Sequence, residues 1–167
     1  MNHTKKIALG GVTAALALVL LLIGGALGIG AYAAPMLAGL ILLPAGRLLG
    51  AKLHTVLWLA VSLLAFVLVP DAETALMFFA PFGCYPIVRP LLGRLPAPLQ
   101  LPAKLLFFNL VTVALQLLLM LLLVPQALEM WLLLLLLAGN VVFLLYDRLL
   151  PIAEEKLTRR LSRLLRI

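Results

Sequence analysis

The stretch 78-FFAPFGCYPIVRP-90 decides how many times this chain crosses a membrane. It is apolar enough to sit in lipid, yet it holds Pro81, Pro86 and Pro90 together with Gly83 and Arg89. Proline removes a backbone donor and crowds the preceding helical turn, and glycine weakens a helix further. Read as a loop, the stretch separates two spans. Read as a broken helix, it belongs to one.

The surrounding sequence favours the second reading. The chain has 167 residues, 65% hydrophobic and only 11% charged, with a mean hydropathy of +1.23. A water-soluble domain needs more polar surface than that. Several apolar runs approach the ~20 residues required to cross hydrocarbon as a helix. The expected class is therefore an all-α integral membrane protein. A net charge of +7 in a soluble protein would suggest nucleic acid, but here its distribution along the chain carries the information, and no nucleic-acid partner is expected. The lone cysteine, Cys84, excludes an internal disulfide, and His3 and His54 lie too far apart to suggest a metal site. Lys5 and Lys6, an apolar run and Ala31-Tyr32-Ala33 resemble a signal peptide. The run exceeds the usual ~7–15 residues of such a segment, so it is read as a retained span.

Hydropathy, charge and proline breaks divide the chain into six segments, 7–30, 32–46, 53–69, 74–92, 105–124 and 130–146, followed by a tail over 151–167. The second segment is short and rich in small residues. With both termini placed in the cytoplasm, the inner ends hold all thirteen basic residues and the outer ends only Asp71, Glu73 and Glu129. An odd number of spans would scatter those charges. The expectation is a six-helix bundle over 1–150 in the cytoplasmic (inner) membrane. The tail, 151-PIAEEKLTRRLSRLLRI-167, sets Leu157, Leu161, Leu164 and Leu165 on one stripe, with Lys156, Arg159, Arg160, Arg163 and Arg166 on much of the rest. Such a pattern predicts an amphipathic interfacial helix attracted to anionic lipid.

Catalytic chemistry is hard to find, and no enzyme activity or cofactor is expected. No G-x-x-x-x-G-K-[ST] loop is present, so the chain carries no phosphate loop of the ATPase kind. Glu154-Glu155-xxx-Arg159 matches the E-E-x-x-x-R pattern of intramembrane CAAX-type proteases, which also need downstream histidines, and none follows His54. Glu155 and Arg159 form an i,i+4 pair instead. Polar residues within spans are costly and therefore informative. Asn109 falls about 7–8 Å beyond Lys104 and Gln116 about 18 Å beyond it, while Asn140 lies near mid-depth. Amides at such depths usually bridge helices. At the outer edge, Tyr32, Asp71, Glu73, Glu129 and Trp131 either surround a mouth or serve the aromatic belt and a helix start.

The opening stretch then becomes the inner half of the fourth span. Pro81, Gly83 and Pro86 mark a bend, and Arg89 and Pro90 lie at its exit. Breaks of this kind persist at depth only where protein or water satisfies the freed carbonyls. In the first span, Gly10-xxx-Ala14, Gly11-xxx-Ala15 and Gly24-xxx-Gly28 each put two small residues on one face, which favours close helix contact inside or outside the bundle.

Six short spans and the opening 5-KKIALGGVTAALALVL-20 resemble the substrate-binding S components of energy-coupling factor transporters. The resemblance implies a subunit that captures a vitamin or similar micronutrient and depends on a membrane coupling subunit and cytosolic ATPases. It implies docking through Gly10, Gly11, Ala14 and Ala15, and substrate contacts at Tyr32, Glu73, Met77, Gln116 and Trp131. Small cell-envelope scaffolds such as the MreD family, and sporulation-associated membrane proteins, have similar size and composition. They give the alternative reading.

Overall fold

The computed structural model describes residues 3–27, 32–122 and 131–164. Among these residues the chain is helical, without strands: α1 His3–Leu27, α2 Ala33–Leu49, α3 Ala51–Leu68, α4 Ala72–Met77, a π-helical segment Phe78–Phe82, α5 Tyr85–Leu92, α6 Ala97–Leu122 and α7 Trp131–Leu164. Five helical stretches are long and apolar enough to cross a membrane, namely Thr4–Leu27, Ala51–Leu68, Ala72–Leu92, Ala97–Leu118 and Leu136–Arg160. The chain is therefore a multi-pass helical membrane protein. With 17 residues, α2 spans about 25 Å, somewhat less than the ~30 Å of a hydrocarbon core.

Local chemistry explains several boundaries. Val69 ends α3 in an extended conformation, as expected for a residue whose successor, Pro70, disfavours the helical region. Asp71 caps α4, accepting hydrogen bonds from the backbone N–H of Thr74 at 3.0 Å and of Glu73 at 3.3 Å, and from the Thr74 hydroxyl. These bonds satisfy donors that the first turn leaves free. Pro98 falls in the first turn of α6, where no intrahelical donor is lost.

The tail departs from the expected separate element. α7 runs through Pro151 to Leu164 without interruption. Proline removes only one ladder bond, and a membrane helix tolerates it where neighbouring groups take up the freed carbonyl.

Contacts divide the chain into two compact units, 1–87 with 150–167, and 88–149. In the first, one face of each of three helices forms the core. Ala17 and Leu21 come from α1, Ala38 and Leu42 from α2, and Val61 and Ala65 from α3, joined by Val69, Ala75 and Phe78. The four-residue spacing within each pair is the helical repeat that stacks side chains on one face. Alanines at these contacts let backbones approach, so that dispersion holds the helices where lipid supplies no hydrophobic drive. The opposite faces remain apolar: Val56, Leu63 and Val67 on α3 are exposed, Val67 at 80%. Lipid is the solvent that accepts such faces.

In the second unit, α6 and α7 are tied by successive layers. Phe108 stacks on Phe143 with ring centroids 4.6 Å apart. Asn140 Nδ2 donates to Asn109 Oδ1 at 2.9 Å. The two amides thus bridge helices.

A single residue, Gly50, joins α2 to α3, with φ 93° and ψ 160°. That region is open to glycine and strained for other residues. Gly50→Ala is expected to destabilise the protein by about 1–3 kcal/mol, read as a lowered unfolding temperature in detergent, whereas Ala51→Gly, at the exposed first residue of α3, leaves it much less affected.

Candidate functional site

The broken fourth span is the most unusual piece of backbone in the first unit. Pro81 has no N–H to offer a carbonyl one turn earlier. The backbone answers by widening: Gly83 N–H bonds Phe78 C=O at 2.8 Å, an i→i+5 step. A turn at Gly83 and Cys84 follows, and α5 starts at Tyr85. In a regular helix Gly83 N–H would serve Phe79 C=O, so the wider step withdraws that partner. The indole of Trp58 on α3 supplies the replacement, Nε1 donating to Phe79 C=O at 3.0 Å.

The same indole stacks on the Phe79 ring, with centroids 5.4 Å apart and planes 17° from parallel, and Phe66 lies against Phe79 at 5.7 Å. Gly83 makes this approach feasible, because a Cβ there would come within 2.9 Å of Trp58 Cδ1. The bend is therefore a built junction between α3 and the fourth span. Pro81 and Gly83 are buried within it, as is Pro86 just beyond. Trp58 is the residue that sequence reading missed. Its one available signal was a polar aromatic within a span, which belt placement also explains.

The residues nominated for substrate contact are distributed between the two units. Tyr32 caps α2, half-buried, and its ring meets Phe82 edge-on at 6.4 Å. Its hydroxyl is buried without a hydrogen-bond partner among the described residues. Glu73 sits in the first turn of α4, half-buried, and Met77 is fully buried. Gln116 lies half-buried on α6 in the second unit. Trp131 begins α7, with its side chain outside the described residues, and Glu129 lies outside them altogether.

The small-residue faces of α1 separate clearly. Gly10 faces inward, where a Cβ would meet the Leu57 side chain at 3.4 Å, and Ala14 packs against the core. Gly11 has open space around it, and Ala15 is exposed. One pair is used within the unit and the other is presented outward. Of the third pair, Gly24 is buried and Gly28 lies outside the described residues.

An apolar groove of about 400 Å3 also lies in the first unit, where Leu20, Leu37 and Ile41 face Leu157, with Lys156 and Arg160 on its rim. None of the nominated substrate residues lines it. Among the described residues no cluster of His, Cys, Asp or Glu is arranged to hold a metal ion. Comparison of the chain with protein-family models, curated proteins and solved structures finds no match.

Trp58→Phe retains an aromatic ring against Phe79 but removes the donor to its carbonyl. The expected cost is about 1–3 kcal/mol, the penalty for an unsatisfied buried acceptor, measured by thermal unfolding in detergent. Gly83→Ala is expected to destabilise by displacing the indole. Trp58→Phe behaving as wild type would show that the indole N–H contributes nothing to holding the bend.

Proposed function

We propose that this protein is a non-catalytic membrane subunit that works through a partner helix docked on α1. Its preferred role is substrate capture for an ATP-driven micronutrient uptake transporter, in the manner of the S components it resembles. The observation that carries this reading is the division of α1 into two faces. Gly10 and Ala14 are consumed by packing within the unit, while Gly11 and Ala15 offer an open surface. A small outward face allows close backbone approach by another membrane helix, which a Leu-covered face would prevent.

In this reading α2 is the sixth crossing, both termini are cytoplasmic, and the basic residues face the cytoplasm in the inner membrane. The tail meets anionic lipid through its basic side chains. Tyr32, Glu73, Met77, Gln116 and Trp131 contribute to ligand capture, and the bend at Pro81, Gly83 and Pro86 acts as a hinge. Coupling subunit and ATPases supply the energy, because binding alone transports nothing uphill.

One observation favours the scaffold alternative, a partner-recruiting protein of cell-envelope or sporulation machinery. Thr74, Ala75, Met77 and Phe78 are essentially inaccessible, so a ligand reaching Met77 requires the packing around it to open. In the scaffold reading the same α1 face recruits envelope proteins, and the polar residues only lock helices.

The test is purification from native membranes followed by mass spectrometry of partners and bound small molecules. The transport reading expects a coupling subunit, an ATPase pair and a retained small molecule. It also expects Gly11→Leu with Ala15→Leu to abolish co-purification without lowering the unfolding temperature. Recovery of envelope-synthesis proteins with neither ATPases nor a small molecule would replace it with the scaffold reading.

A further inference from the structure

Three side chains from three helices meet in the second unit. Arg89 Nε on α5 donates to Asp147 Oδ1, and Lys104 Nζ on α6 donates to Asp147 Oδ2, both at 2.8 Å. Asp147 lies on α7. These three side chains comprise two cations and one carboxylate. Excess charge is costly in a low-dielectric setting unless a counter-ion approaches.

The unused donors show where such an ion would sit. Arg89 has one of its five N–H groups engaged, and the two terminal amino groups of its guanidinium have no partner among the described residues. Those amino groups form the fork that binds phosphate oxygens in pairs. Lys104 uses one donor of three. The site is reachable, since the Arg89 side chain is 31% exposed, while Lys104 and Asp147, at 14%, are held more deeply. Holding both cations on one carboxylate fixes their geometry before any ligand arrives, which reduces the entropy lost on binding.

Depth points to the same kind of ligand. Lys104 immediately precedes the apolar run 105–108, with Asn109 and Thr112 as the polar residues before Leu115, and Asp147 immediately follows the run 141–146. Charged residues at such boundaries lie at the level of lipid headgroups. The exposed side chains of Arg94 and Arg148 close to them in sequence add further positive charge to this unit.

We propose that Arg89 and Lys104, positioned by Asp147, bind a phosphate-bearing anion, supplied either by an anionic phospholipid headgroup or by free phosphate. Its residues are distinct from the basic residues of the tail, and the proposal is independent of whether the protein transports or scaffolds.

The experiment is native mass spectrometry of the full chain in detergent, equilibrated with phosphatidylglycerol or with phosphatidylcholine. Wild type is expected to retain phosphatidylglycerol preferentially. Arg89→Gln combined with Lys104→Gln should lower that preference about tenfold, the scale of losing a charge-assisted hydrogen bond. Arg89→Lys, which keeps the charge and loses the fork, should give an intermediate loss. Asp147→Asn supplies the decisive contrast: it raises local positive charge but releases the two cations, so a site that depends on their positioning expects phosphatidylglycerol retention to fall in the folded variant. Displacement of the lipid by inorganic phosphate would identify the phosphate group itself as what is read; retention in its presence would assign the site to the lipid headgroup. Equal retention of both lipids, or a preference abolished by Lys156→Gln with Arg160→Gln and untouched by the Arg89 and Lys104 variants, overturns the proposal. So does a folded Asp147→Asn variant that retains phosphatidylglycerol as well as or better than wild type, because local charge and not positioning would then set the preference.

Discussion

Within a bilayer a backbone carbonyl without a donor has no water to turn to, and the architecture of the first unit depends on how that constraint is met at Phe79. Pro81 makes a regular helix impossible, and the widened turn that accommodates it moves Gly83 N–H to Phe78. The cost then falls on Phe79 C=O, at several kcal/mol if left unpaired in hydrocarbon. A donor arrives from another helix, through Trp58 Nε1. One hydrogen bond thus ties the backbone of the fourth span to α3, while stacking of the same indole on Phe79 adds apolar contact. The core shared by α1, α2 and α3 is built from small and aliphatic side chains held by dispersion, which is less directional. The Trp58 bond is directional and fixes register.

Much of this was legible in the sequence because it rests on local covalent facts. Apolar length marks spans, proline marks a lost donor, and the segment 78–90 had to be a broken helix if the basic residues were to share one side. The partner that satisfies the break was not legible. Trp58 and Phe79 are separated by 21 residues, and no local pattern couples an indole on one helix to a carbonyl on another. The small faces of α1 show the same limit. Gly10 and Gly11 differ by one residue, roughly 100° of rotation, so both pairs satisfy the spacing rule equally well. Only the position of Leu57 reveals which is filled. The tail, read as a helix of its own from Pro151, is continuous with α7. An otherwise favourable helix carries through Pro151.

The second unit solves the helix-association problem with different chemistry. Along α6, Lys104, Phe108 and Asn109 meet Asp147, Phe143 and Asn140 of α7 in that antiparallel order. The charged layer lies at the boundary of the apolar run and the amide layer farther in, which follows the rise in the cost of polarity with depth. The amides were recognisable as bridging residues by that cost alone. Their mutual pairing required the antiparallel register, which sequence spacing constrains but does not determine.

Ionic layers and apolar layers also differ in what they leave over. Stacking of Phe108 on Phe143 brings two apolar rings into contact. An Asp shared by Arg and Lys satisfies the carboxylate but not the cations, since two positive groups bring eight donors to an acceptor with about four lone-pair sites. A purely structural need at this position would be met by one cation and one carboxylate, with less charge to desolvate. The second cation therefore adds electrostatic cost without adding a helix to the contact that a neutral donor could not have joined. Its presence at the ends of the apolar runs, with a guanidinium fork unpaired among the described residues, is the kind of local inconsistency with packing that points outward, to something the protein binds.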